Sequence, residues 1–161
     1  MMQSLMSKVE STRFAAGNRS ISIHPGLFDE PDSSGRIHLA GSKCEDCGQR
    51  MFPVRQRCVA CYGATVVKLK LERIGKVDCF TTVRQSPPGY AGPVPYVLAM
   101  VALGNDVQVL AHLIGKRLDA WRSGDSVEAC VLPLKLGSDK SRRILCYAFR
   151  PAMPQDMETS P

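Results

Sequence analysis

Four of the chain's seven cysteines form a spaced pattern: Cys44-x2-Cys47, ten intervening residues, then Cys58-x2-Cys61. Two thiolates on one tight turn can hold a metal ion from one side, and a second such knuckle completes a tetrahedron. Gly48, directly after the first pair, relieves the left-handed position that such a knuckle needs. Four sulfurs leave no open coordination position, so the expected metal is a structural zinc and not a hydrolytic one. Iron in a rubredoxin-like site uses the same ligands, and four core or redox-active cysteines falling in register is the bland alternative. Structural zinc contributes about 10–16 kcal/mol in small zinc peptides, enough to fold a segment poor in apolar residues.

Other reactive chemistry is missing. No nucleophile elbow, phosphate loop, dinucleotide glycine motif or HExxH sequence occurs. His24, His38 and His112 are scattered, and His112 reads as a strand or packing residue. Cys79, Cys130 and Cys146 fall inside predicted strands without a neighbouring histidine, so they are expected to be small core hydrophobes. A self-contained small enzyme, a hydratase or thioesterase acting alone, is therefore disfavoured. No catalytic residue is assigned.

Length and composition bound the rest. At 161 residues, 44% hydrophobic and 22% charged, the chain fits one ordinary domain or two small ones, and wholesale disorder is excluded. The longest uncharged apolar stretch, starting at Ala91 and ending just beyond Leu103, is too short for a bilayer and contains Gly92, Pro93 and Pro95. The first twenty residues lack a signal-peptide core, and Glu10 argues against a transit peptide. The expected location is cytoplasmic, with no membrane association. Thiols stay reduced there, which favours metal ligation over disulfides.

Net charge is +6, and the excess sits on residues 73–150, with eleven basic residues against six acidic. Some of these, Arg84 among them, could meet phosphates of a nucleic acid or a phosphorylated cofactor, while most are expected to be a solvated face. A single-stranded nucleic-acid-binding module is the main rival function. Against it, Phe80, Tyr147 and Phe149 fall in strands with apolar neighbours, so exposed stacking rings are not expected there.

Periodicity supplies the elements that position these residues. Val67, Leu69 and Leu71 alternate with Lys68, Lys70 and Glu72, and Val77, Cys79, Thr81 and Val83 alternate after Gly75, so both read as half-buried strands. Tyr96–Leu103 is apolar on both faces, as in a central strand, and a turn at Gly104-Asn105-Asp106 leads to Val107–Ile114. Leu118 and Trp121 have helical spacing, and Ser126–Leu132 and Ile144–Arg150 complete the strands. Five strands with a short helical insert after the third suit an OB-type barrel, the proline-rich run Pro87–Pro95 joining its first two strands. Towards the N-terminus, Ser7 and Glu10 have capping-box spacing for a short helix closed at Gly17, and His24–Ser34 reads as an extended arm.

From about Leu39 to Pro151 the chain resembles the zinc-ribbon plus OB-fold family of accessory proteins associated with acyl-CoA enzymes. The pieces, in order, are Cys44-x2-Cys47-Gly48, Phe52-Pro53-Val54-Arg55, Cys58-x2-Cys61, Gly75-x-Val77 leading to Phe80-Thr81, Pro95-Tyr96, Gly124-Asp125-x-Val127-Glu128, and Tyr147-x-Phe149-x-Pro151. The family often has a second proline where Val54 stands, and a more helical N-terminus. The resemblance implies a mainly β fold: a rubredoxin-like zinc ribbon followed by a five-stranded OB barrel, with an extended or partly helical N-terminal arm. The corresponding division is an arm over 1–38, the ribbon over 39–72, the barrel over 73–151 and a mobile tail over 152–161.

It also implies a non-catalytic subunit that docks on an acyl-CoA-processing enzyme and helps form the acyl-CoA channel. A thiolase-type subunit in a hetero-oligomer is the first choice of partner, in a β-oxidation-like degradation of an aromatic or branched acid. An enoyl-CoA hydratase or an aldolase is the alternative. The cofactor is one structural zinc on Cys44, Cys47, Cys58 and Cys61, and a coenzyme A ester is the substrate of the complex. Phe52, Pro53 and Arg55 are candidates for partner docking on the ribbon tip, where packing of ribbon on barrel is the competing reading. Arg84, Tyr90 and Tyr96 are candidates for the channel, with Tyr96 equally able to begin a buried strand.

Overall fold

The computed structural model describes residues 20–153 except 89, 91, 105 and 135–142. The short helix expected between Ser7 and Gly17, the polar stretch after Gly137 and most of the C-terminal tail lie outside the described residues. Among the described residues there is no α-helix: the chain forms strands and one 3₁₀ turn.

The described part of the arm, residues 20–38, has no helix and runs through strand, turn and bridge residues. Its strand β1 (Ser20–Ser22) pairs in parallel with the barrel's last strand, Ser20 opposite Arg143 and Ser22 opposite Leu145. The arm has too few apolar residues for a core of its own, so it contributes to another: Ile37 is buried in the barrel core, together with Leu39 at the start of the ribbon. Backbone bonds from Ile37 N–H to the Ala129 carbonyl (3.3 Å) and from Val131 N–H to the Gly35 carbonyl (3.0 Å) fasten it there.

The ribbon is a three-stranded antiparallel sheet, β2 (Ala40–Cys44) lying between β3 (Arg50–Met51) and β4 (Val66–Lys70). The expected alternation in β4 is only partly realised. Leu69 is half-buried and Leu71, just past the strand, is buried, but Val67 is exposed, with no element among the described residues covering it.

The barrel strands are β5 (Ile74–Val83), β6 (Tyr96–Leu103), β7 (Val107–Leu113), β8 (Ser126–Leu134) and β9 (Arg143–Pro151), with the 3₁₀ turn Leu118–Ala120 between β7 and β8. Pairing runs β5–β6–β7–β9–β8 and back to β5, a closed ring in which only β7–β9 is parallel. This is the five-stranded OB arrangement expected from the pattern. Trp121, just after the turn, is fully buried among Val97, Val101, Leu103, Val109 and Phe149 of the core. Alternation in β6 and β7 sends Val97, Ala99, Val101 and Val109 inward and leaves Leu98, Met100 and Leu110 outward. The outer face of these two strands is thus apolar as well.

The first barrel strand departs from expectation. Of Val77, Cys79, Thr81 and Val83, only Val77 is buried. A register shift between Val77 and Cys79 marks a bulge, and pairing with β8 stops at Lys76. Beyond that point β5 has a strand on one side only among the described residues, so Cys79, Phe80 and Thr81 are exposed. Cys79 is consequently not a core residue, whereas Cys130 is buried and Cys146 half-buried. Burial pushes both of those thiols up, Cys130 to about 12. Phe80, 37% exposed, likewise departs from the expected covered ring, whereas Phe149 is fully buried and Tyr147 half-buried.

Ribbon and barrel are joined by side chains from both. Arg50 of β3 donates through Nε to Asp106 Oδ1 (2.8 Å) and through Nη2 to the same oxygen (2.6 Å) and to the Leu103 carbonyl (3.1 Å), and it also pairs with Glu72. The Phe52 ring meets Tyr147 edge-on at 5.5 Å. Within the barrel, fully buried Glu128 accepts from Arg150 Nε at 2.7 Å and lies 3.3 Å from Arg36 Nε.

Candidate functional site

The ribbon brings the four cysteines together. Their Sγ atoms all lie within 4.8 Å of one another, with Cys44–Cys61 at 3.6 Å and Cys47–Cys58 at 3.5 Å. Sulfurs at the corners of a tetrahedron around zinc, with bonds of about 2.3 Å, would stand roughly 3.8 Å apart. The cluster has that size, and its donors are all thiols. One cysteine of each knuckle faces inward, Cys44 and Cys58, and one outward, Cys47 and Cys61.

Both knuckles are built by the same local bonds. Gly48 N–H donates to the Cys44 carbonyl (2.9 Å), and Tyr62 N–H donates to the Cys58 carbonyl (3.1 Å). Cys44 N–H is bonded to the Gln49 carbonyl and Cys58 N–H to the Gly63 carbonyl, closing each loop. The geometry demands a left-handed residue after each pair, Gly48 with φ 77° and Tyr62 with φ 59°. Glycine adopts this at no steric cost, while a side chain there costs about 1–2 kcal/mol.

Backbone N–H groups favour thiolate within the cluster. Those of Cys61 and Ala60, the latter 3.4 Å from Cys58 Sγ, pull the Cys58 thiol down to about 7. The Gly63 N–H favours the Cys61 thiolate too, but the sulfurs of Cys47 and Cys44 outweigh it and push that thiol up to about 12. Four sulfurs in contact cannot all ionise without a cation between them, which is the chemistry of a metal centre.

A second constellation lies on the barrel. The loop after β5 folds back, pinned by Ser86 Oγ donating to the Tyr90 carbonyl (2.9 Å) and Tyr90 N–H donating to the Pro87 carbonyl (3.1 Å). It lays Tyr90 on Tyr96, and Tyr96 on His112, with centroids 5.0 Å apart in each pair. Burial lowers the His112 pKa, which favours the neutral imidazole, and its Nε2 has no hydrogen-bond partner among the described residues. Beside this stack run Leu98, Met100 and Leu110, the last 57% exposed. The face can hold an apolar chain against rings, but it groups no nucleophile with a base.

The structure thus brings together the four cysteines, and separately Tyr90 and Tyr96. Arg84 is exposed, just past the end of β5, and has no ion pair among the described residues. Phe52 is half-buried on Tyr147. Pro53, with Val54, lines a cleft of about 280 Å³ against His24, Pro25, Gly26 and Leu27 of the arm. Arg55 is exposed, its backbone N–H donating to Ser42 Oγ at 3.1 Å. Two features escaped the sequence reading. His112 is the third ring of the stack, legible only from strand register. Tyr62 occupies the position that Gly48 fills in the first knuckle, and the repeated cysteine spacing itself points to it.

A four-cysteine ribbon leading into a five-stranded OB barrel defines a known class of two-part β proteins. Residues 35–67 match the family model of the ChsH2 rubredoxin-like zinc ribbon domain, and residues 70–132 match that of the ChsH2 C-terminal OB-fold domain. A DUF35 domain-containing scaffold protein of Pyrococcus furiosus is 30% identical over 121 residues, covering 75% of this chain and 88% of the relative. One of the same description from Methanocaldococcus jannaschii is 28% identical over 72% of this chain and 83% of the relative. The chain belongs to the DUF35 scaffold protein family. A solved structure, an Ltp2-ChsH2(DUF35) aldolase, shares the fold with a TM-score of 0.57 at 23% identity, over 72% of this chain and 86% of that one.

Proposed function

We propose that this scaffold protein is the non-catalytic subunit of an acyl-CoA-processing enzyme, docking through its ribbon and covering the acyl chain with its barrel. The observation that carries the reading is the outer face of β6 and β7, where Leu98, Met100 and Leu110 lie beside the Tyr90–Tyr96–His112 stack and no nucleophile is grouped with a base among the described residues. Such a surface excludes water from an apolar substrate and leaves chemistry to a partner. Arg84, exposed and without an ion pair among the described residues, stands at the entry to the same loop, placed to meet a nucleotide phosphate. Three other barrel cations are engaged within the chain: Lys116 with Asp125, Arg117 with Asp119 and Arg150 with Glu128. In this reading residues 1–38 are the arm, 39–72 the ribbon, 73–151 the barrel and 152–161 the tail.

The metal of the ribbon is proposed to be one structural zinc held by Cys44, Cys47, Cys58 and Cys61. Zinc supplies no reaction there; it fixes the two knuckles as a rigid surface. Stoichiometric zinc in a colourless preparation is expected, and a red iron-containing one would replace zinc by iron.

A thiolase-type partner is the first choice, and a cytoplasmic location follows with it. The solved aldolase that includes a ChsH2(DUF35) component makes an aldolase subunit the second reading. Mass spectrometry of what co-purifies with the untagged protein separates the two. A subunit with a thiolase cysteine is the expected result, and acyl-CoA turnover by the isolated chain would sink the accessory role. On the barrel strands, exposed Phe80 gives the nucleic-acid reading one ring. With Phe149 buried and Tyr147 half-buried, that falls short of the two or three exposed rings of a stacking platform.

A further inference from the structure

The two knuckles differ at one place that the metal does not require. After Cys47 the left-handed residue is Gly48, and after Cys61 it is Tyr62. Folding alone favours glycine at both. Tyr62 brings no compensating packing: it is 77% exposed, and its ring makes no aromatic contact among the described residues. Val59, from the same turn, is 59% exposed. Strain at an exposed aromatic residue directs attention to a function outside the fold.

Charge bears on what the turn faces: Arg57 lies beside it, while the Asp46 carboxylate is turned to the cysteines, 4.0 Å from Cys44 Sγ. Arg55 and Arg57 are exposed and have no carboxylate partner among the described residues, and Arg57 Nη1 lies 3.5 Å from the Tyr62 carbonyl, which keeps its guanidinium beside the turn. Phe52, the other aromatic residue of the ribbon's loops, is instead packed on Tyr147. We infer that Tyr62 and Val59 are the anchor by which the ribbon seats in an apolar pocket on the enzyme subunit, a pocket rimmed by carboxylates that meet Arg55 and Arg57. Tyrosine and arginine are the residue types that dominate such anchors, and a metal-held turn presents them with little ordering cost. The inference rests on the accessory-subunit reading and names the residues through which that subunit docks.

The test uses the acyl-CoA enzyme subunit that co-purifies with the untagged chain, identified by mass spectrometry and then produced separately. Its affinity is measured against the wild-type chain, Tyr62→Gly, Tyr62→Phe and Arg57→Glu, with zinc content and melting temperature determined for each. Tyr62→Gly is expected to keep its zinc and melt no lower than wild type, yet bind at least tenfold more weakly, mostly through faster dissociation. Tyr62→Phe retains the ring and should stay within a few-fold of wild type, while Arg57→Glu should weaken binding in a salt-dependent way. Wild-type affinity in Tyr62→Gly would overturn the anchor and leave the accessory role standing. A lower melting point in Tyr62→Gly would place the ring's role in the fold and also overturn it. A wild-type chain that binds no acyl-CoA enzyme subunit would remove both.

Discussion

At the cysteine end of the ribbon the buried cluster is Cys44, Met51 and Cys58 with Val66 packed against it, so two of its three buried members are metal-ligand candidates, while Leu39 and Leu71 at the other end join the barrel core. The barrel buries Trp121, Phe149 and alternate residues of β6, β7 and β8 around one continuous core. Apolar burial at about 25 cal/mol per Å² can hold the second and cannot hold the first. With the proposed zinc bound, the cysteine end of the ribbon is held by liganding and the barrel by packing, and each should fail for its own reason.

Metal removal is the largest test of that difference. Chelation of zinc, or Cys58→Ser, should cost the ribbon on the order of 10 kcal/mol and unfold it. Amides of residues 40–70 should lose hydrogen-exchange protection while those of β6 and β7 keep theirs. Loss of protection in both halves together would mean that the barrel depends on the ribbon, against the comparison. The converse change is Phe149→Ala, which opens a cavity in the fully buried barrel core. It should lower stability by about 3–5 kcal/mol in urea titrations and leave zinc stoichiometry unchanged.

Legibility in the sequence follows the same division. Ligand spacing is a local signal, so the ribbon was readable from four residues. The barrel was readable from apolar runs set between turns, as in β6, which is apolar on both faces and lies between β5 and β7. The pattern misled where pairing is one-sided. Cys79 and Thr81 alternate in sequence but lie past a bulge, beyond the reach of β8, and no local signal marks where a partner strand ends. The ring stack was illegible for a related reason: His112 meets Tyr96 only through the β6–β7 register, in which Leu98 opposes His112, and through the loop that folds Tyr90 back.

Glu128 probes how the arm is bound to the packed half. Its carboxylate is fully buried, and the guanidiniums of Arg150 and Arg36 reach it from the surface, each about a third exposed. Arg150 Nη1 also donates to the Ser34 carbonyl at 3.1 Å, so the cluster ties the arm to β8 and β9. Glu128→Gln removes the charge that both cations face. Solvent reaches those cations, so the expected loss is about 2–3 kcal/mol, below the usual cost of breaking a fully buried pair. Faster proteolysis within residues 30–36, with zinc retained, would locate the effect at the arm.

Coupling between the halves is the smallest effect and the sharpest. Arg50 reaches from β3 to Asp106 in the turn between β6 and β7. Its guanidinium holds the Asp106 carboxyl below the ordinary carboxylate range. A carboxyl lowered in the folded state gives stability that is present above about pH 3.9 and lost as pH falls through the folded value. Asp106 is 35% exposed, so screening by solvent limits this contribution to less than about 1 kcal/mol. Arg50→Gln should therefore destabilise the chain at pH 7 by about 1 kcal/mol, counting the bond to the Leu103 carbonyl. The gap between the two urea midpoints should narrow towards pH 3, because protonation of Asp106 removes from wild type what the substitution has already removed. A gap that stays constant with pH would show that the halves are joined through the carbonyl bond and the Phe52–Tyr147 contact, and that the ion pair adds no coupling of its own.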